Sequence, residues 1–120
     1  MTDLEYLKIL PYESDYNPPE RIVCAANLYQ HSVGVEGIFL VGIRHCDDYM
    51  YNQEQALSEC DVDLRFYKET QGFLTSKYRF VDRVTAWKIA LEQRQIVRLV
   101  GSQTYSSAYE ETELFSENLY

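Results

Sequence analysis

The chain has 120 residues, 46% of them hydrophobic and 25% charged, and a net charge of -8 at pH 7. That size and balance indicate one soluble globular domain able to stand on its own core. The acidity argues against a DNA or RNA polymer as partner, because phosphates are repelled, and no stretch of about 18 apolar residues is present to span a membrane.

Cys24, Cys46 and Cys60 are odd in number and irregularly spaced. This argues against a disulfide framework and for a reducing cytoplasm. With His31 and His45 as the only histidines, a closed zinc site is not expected, nor is any other cofactor. Asp3 and Glu5 stand where a secretory signal would need an apolar run, so none is expected. Tyrosine is the compositional outlier at 11 residues, several of them near the ends: Tyr6, Tyr12, Tyr16, Tyr105, Tyr109 and Tyr120. Half-buried packing and an interface between copies of the chain are both open readings of that enrichment.

In chain order, residues 1–21 carry Pro11, Pro18 and Pro19 and read as an extended arm. Residues 22–120 read as a single domain. IVCAANLY and GIFLVGIR, joined by a glycine-containing loop, predict an antiparallel hairpin with strands at 22–29 and 37–44. Asp47 or Asp48 then caps a helix over about 49–59, apolar only at Met50 and Leu57 on one face. LRFYKE is either a strand or an irregular link. QGFLTSKYRFV predicts a second hairpin around TSKY, and Asp82 caps a second helix through RVTAWKIALEQRQ. Ile96 and Val97 either start a strand or pack as a helix terminus, and the stretch around 102–112 is polar and loop-like. Hairpins without parallel crossovers predict an α+β fold, with a small antiparallel sheet packed against two helices.

Three clusters could carry chemistry. Arg44-His45 ends an apolar strand, where alternation breaks and both side chains can converge. An arginine fork suits phosphate oxygens, and a solvated pairing with Asp47 or Asp48 is the plain alternative. A hydrolytic role would need His45 to work with Asp47, yet no nucleophile elbow, phosphate loop or zinc-protease motif accompanies them. Phe73, beside Gly72, is either core or a face on which a base stacks. Lys77, Arg79, Arg83, Lys88, Arg94 and Arg98 concentrate six of the eleven bases between positions 77 and 98. They form either a solvated face or an anion site.

The ordered set IVCAANLY, GIRHCDDYM, QGFLTSKYRFVDRVTAWKIALEQRQI and the closing ELFSENLY resembles the first-described Thoeris anti-defence family. These are small phage proteins that act as sponges for a host immune signal. The resemblance covers about residues 22–100 and the last eight. It implies a non-enzymatic protein of the host bacterial cytoplasm. Such a protein binds a cyclic ADP-ribose isomer made by the Thoeris TIR sensor and holds it intact. It also implies a dimer or larger homo-oligomer with ligand pockets between subunits and, in some members, a separate site for cyclic oligonucleotides. On that reading Arg44 and His45 form part of a phosphate cradle. Phe73 stacks the base, Arg83 and Arg98 hold phosphate, and Gln95 bonds ribose or base. Three positions depart from the family pattern: Tyr78 and Arg94 stand where glycine, or at 94 asparagine, is usual, and Thr85 stands where a glutamate would complete a capping box.

Overall fold

The computed structural model describes residues 17–31, 36–105 and 111–120. Most of the expected N-terminal arm, with Tyr6, Tyr12 and Tyr16, lies outside the described residues, as does Tyr109.

Four strands form one antiparallel sheet, backed by two helices. In chain order these are β1 (Ile22–Gln30), β2 (Ile38–Gly42), α1 (Asp48–Glu59), β3 (Lys68–Thr75), β4 (Phe80–Asp82) and α2 (Arg83–Glu92). The spatial order is β2-β1-β3-β4. The α+β architecture and both hairpins are those the sequence predicts. LRFYKE resolves into a 3-10 turn at Leu64–Phe66 followed by the start of β3. Ile96 and Val97 lie in no helix or strand.

Register separates the two faces of the sheet. Ala25 stands opposite Gly42 and Phe73, and Phe73 opposite Val81. Because side chains alternate along a strand, these residues share one face with Asn27, Tyr29 and Leu40. That face carries the core, which α1, α2 and the C-terminal segment complete with Met50, Ala86, Trp87, Ala90, Leu114 and Leu119. An irregularity between Ile22 and Cys24 resets the alternation, so Ile22 is also buried while Val23 is 52% exposed.

The opposite face carries Cys24, Ala26, Leu28, Phe39, Val41, Leu74 and Phe80, and no helix lies over it among the described residues. Gly72 is required here, since a Cβ would run into the Val81 carbonyl oxygen, which cannot move aside, and would stand 2.6 Å from Phe80 Cζ. The Phe80 ring lies on that glycine and meets Phe39 at 5.8 Å between centroids, so the two rings span the central strands and leave Ala26 wholly buried.

Asp47 explains why β2 stops at Gly42, two residues short of expectation. Its carboxylate accepts the N–H groups of Ile43 at 2.8 Å, Arg44 at 3.1 Å and Met50 at 3.0 Å, which turns the chain out of the sheet and into α1. Burial works to raise this carboxyl's pKa, but the N–H donors outweigh it and hold the group below the usual carboxylate range. Asp82 caps α2 in the same way, accepting from Thr85 N at 2.8 Å.

Both helices end alike. Val62 N–H reaches Leu57 O and Gln95 N–H reaches Ala90 O, with Asp61 (φ 63°) and Arg94 (φ 55°) left-handed between helix and exit. This is the Schellman ending, whose left-handed position is usually glycine or asparagine. Tyr78, in the second hairpin turn, is left-handed too, at φ 61°. Thus the two departures at Tyr78 and Arg94 fall where a side chain strains the backbone.

Asn17 to Arg21 are tied to that second hairpin. Arg21 N donates to Ser76 Oγ and Ser76 N to Arg21 O, each at 2.9 Å. The Arg79 guanidinium grips the Glu20 carboxylate at 2.6 and 2.7 Å, and Thr75 Oγ1 donates to the same carboxylate at 2.6 Å. Those two partners, arginine first, hold Glu20 down at a pKa of about 2.

Candidate functional site

The residues singled out by sequence do gather, and what gathers them is the C-terminal segment. Asn118 is the hub. Fully buried, it spends both ends of its side-chain amide. The Oδ1 atom accepts from Phe115 N at 2.8 Å and Gln103 Nε2 at 3.0 Å; the Nδ2 group donates to Arg98 O at 2.9 Å and Gln103 Oε1 at 2.6 Å. Its carbonyl accepts Val97 N–H at 2.8 Å. A buried amide satisfied on this scale fixes one geometry.

Arg83 clamps the segment upstream of that hub. Leu114 N–H bonds Arg83 O, while the guanidinium donates to Leu114 O at 2.8 Å and Gln71 Oε1 at 2.6 Å and lies over the Phe115 ring at 4.9 Å. Burial lowers its pKa from the usual arginine value. Its donors face the protein's own acceptors, so Arg83 is placed as a strap between sheet and tail.

Downstream, Arg44 and Arg98 converge. Arg44 Nη2 and Arg98 Nη1 both donate to the main-chain oxygen of Tyr120, at 2.6 and 2.7 Å. The two residues are far apart in sequence, yet their guanidiniums share one acceptor. Arg44 Nη1 also stands 3.9 Å from a carboxylate oxygen of Glu117. Neither Asp47 nor Asp48 takes this arginine. The Tyr120 hydroxyl donates to Val23 O at 3.0 Å, so its ring reaches the start of β1.

Tyr120 also lines a recess of about 350 Å³ with Val23, Cys24, Val41, Ile43 and Tyr49. Val23 and Cys24 are shared with a second recess of about 460 Å³, bounded by Phe39, Leu74, Thr75 and Tyr78. The second opens on the helix-free face, and the first lies beside it at the end of β2, with Tyr49 of α1 among its walls. Burial raises the Cys24 thiol above its ordinary pKa, so it lines the recesses as a small apolar group.

His45 turns inward. Its Nε2 bonds Gly72 O at 2.7 Å and its ring meets Phe73 edge-on at 4.9 Å. Burial is the main influence on its pKa and lowers it despite the Gly72 bond, which favours a neutral ring donating from Nε2. Asp47 is spent on backbone N–H groups, so His45 and Asp47 do not form a dyad here.

Two expected ligand roles are corrected by placement. Phe73 is 0% exposed in the core and offers no face to a base; the strand's alternation turns it toward Trp87 and the helices. Gln95 uses its whole amide on the Ile22 main chain, accepting from N at 2.9 Å and donating to O at 2.8 Å, and so continues the sheet as a peptide group would. The sequence reading missed Tyr120, Asn118, Gln103 and Tyr49. The apolar spacing of Leu114, Phe115 and Leu119 around Ser116 and Asn118 was the available sign that this tail is structural. Among the described residues, no group of three or more His, Cys, Asp or Glu side chains is placed to hold a metal. No described helix is long and apolar enough to cross a membrane.

Fold and site together define a small α+β protein whose arginines close on its own C-terminal segment. Residues 21–120 match the family model described as phage T4 y16D protein, so the chain belongs to that family of phage proteins. No curated protein and no solved structure matches it.

Proposed function

We propose that this protein is an anti-defence sponge that binds a cyclic ADP-ribose immune signal in the host bacterial cytoplasm and holds it without cleavage. One observation carries the reading: two guanidiniums converge on a single oxygen, and the residue bearing that oxygen walls a recess lined by tyrosines. Paired arginine forks suit a pyrophosphate, and a recess of a few hundred Å³ with tyrosine walls suits a base. Membership of a phage family and the resemblance to Thoeris sponges support it further. In this reading Arg44 and Arg98 take phosphate, while Tyr49 and Tyr120 replace Phe73 as the stacking partners. Self-association completes the pocket, and cyclic oligonucleotides bind elsewhere.

The test is to incubate the protein with the TIR product, filter it, then denature the protein by heat. Depletion of the filtrate followed by recovery of the intact signal is expected. Arg44→Ala and Arg98→Ala should each weaken retention, since a charged hydrogen bond is worth roughly 1.5–3 kcal/mol. Signal that never leaves solution defeats the proposal, and a cleaved product turns it into an enzyme. A second reading is favoured by the helix-free sheet face, where Val23, Phe39, Ile43 and Tyr78 are exposed and apolar. There the protein blocks a host protein directly, and a stable binary complex without signal retention would distinguish it.

A further inference from the structure

We propose that His45 is a positioning residue, which does not touch the ligand but pins the turn that presents Arg44 to it. This builds on the reading of Arg44 as a phosphate ligand and concerns what holds that arginine in place. Residues 43–47 lie between the end of β2 at Gly42 and the start of α1 at Asp48, outside the strand ladder. The turn passes through Cys46, left-handed at φ 60°, a conformation that costs a non-glycine residue energy and needs support from its surroundings. Asp47 supplies local support only, since the N–H groups of Ile43, Arg44 and Met50 that it accepts all lie within four residues of it. His45 reaches further. Its Nε2 donates to Gly72 O, 27 positions away on β3, at 2.7 Å. Its ring stands edge-on to the fully buried Phe73 at 4.9 Å, and its N–H meets Ser116 Oγ at 3.4 Å. Apart from the Arg44 guanidinium, no other side chain of residues 43–47 hydrogen-bonds beyond α1 among the described residues.

What the turn carries makes this anchor matter. Gly42 and Ile43 before His45 and Tyr49 after it wall the same recess, and Arg44 stands between them with its side chain 38% exposed. A binding group has to be held to within about 0.5 Å by neighbours whose own rotamers are locked. With a hydrogen bond at one nitrogen and a core ring at its side, the imidazole is such a neighbour. It offers an anion no donor of its own, because the ring is neutral and its one N–H is spent on Gly72.

The experiment is a calorimetric titration of wild type, His45→Phe and His45→Gln with inorganic pyrophosphate. Thermal melting establishes that each is folded, and the Arg44 Nε–H signal is followed by NMR. Phenylalanine keeps a ring against Phe73 without the donor, whereas glutamine keeps a donor at about the reach of Nε2. Folded His45→Phe should bind about tenfold more weakly than wild type and shift the Arg44 signal, and His45→Gln should recover most of both. Wild-type affinity in His45→Phe overturns the proposal, since His45 then serves stability alone. Equal loss in both variants overturns it too, because the ring and not the bond is then what counts. Should His45→Phe fail to fold, His45→Gln decides: affinity within about threefold of wild type is expected, and a tenfold loss overturns the proposal. If wild type takes up no pyrophosphate, the phosphate reading of Arg44 fails, and the NMR signal settles the positioning role by itself. An Arg44 signal unchanged in His45→Phe overturns that role, and a shift that His45→Gln reverses supports it.

Discussion

The two faces of the sheet are built from the same strands, often from adjacent residues, and meet opposite fates. Ala25, Phe73 and Val81 are sealed beneath α1, α2 and the C-terminal segment, whereas Phe39, in the same sheet, is 44% exposed. Both sets are apolar, so hydrophobicity does not explain the difference. The covered face also engages polar side chains: Asn118, Arg83 and His45 each bond main-chain atoms of another segment, while Asn27 Oδ1 and Trp87 Nε1 are buried there without a partner among the described residues. The helix-free face has apolar rings and recesses but little covering them among the described residues. The lesson is that burial is concentrated on one side of the sheet, leaving apolar side chains of the other in reach of solvent.

The sharpest way to break this contrast is a pair of truncations. Phe73→Ala should cost about 3–5 kcal/mol by chemical denaturation, as for other large buried rings, while Phe39→Ala should cost about 1 kcal/mol or less. Equal costs would mean that the open face is covered in solution. Next in size is Asn118→Ala, which strips partners from Gln103, Phe115 N and Arg98 O at once. A loss of about 2–3 kcal/mol is expected, with the tail becoming accessible to proteolysis.

Smaller effects sharpen the comparison from outside it. Arg94 touches neither face and is left-handed at φ 55°, so Arg94→Gly should raise stability by about 1 kcal/mol through the backbone alone. The smallest effect depends on pH and belongs to Glu20, which accepts from Thr75 of the second recess. Its folded pKa of about 2 lies below the ordinary 4.5, so the unfolded chain binds the proton first. Its contribution is therefore complete above pH 4.5 and fades as the pH falls toward 2. Over that window the melting temperature of Glu20→Gln should change less with pH than that of the wild type.

Much of the fold was legible because its determinants are local. Asp47 and Asp82 cap helices that begin next to them, and alternation within β1 and β3 marks strand residues without knowledge of partners. The site was less legible because its determinants are distant. Arg44 meets Tyr120 across 76 positions and Gln95 meets Ile22 across 73, and nothing in either neighbourhood names the partner. Phe73 shows the limit within one strand: a phenylalanine beside a glycine looks the same whether it faces core or ligand, and only the register to Ala25 and Val81 decides. The family departures were the exception, since Tyr78 and Arg94 mark left-handed positions that the structure contains.

The glutamine amides have a consequence for assembly. Gln53 of α1 bonds both N and O of Val41, at 2.9 and 2.6 Å, on a strand that among the described residues pairs only with β1, on its other side. Any chain seeking to extend the sheet past β2 would have to evict that side chain first. At the far border, β4 offers only Phe80–Asp82 before the helix begins. Both borders of the described sheet are thus poor templates for a further strand, which disfavours the simplest road to fibrils.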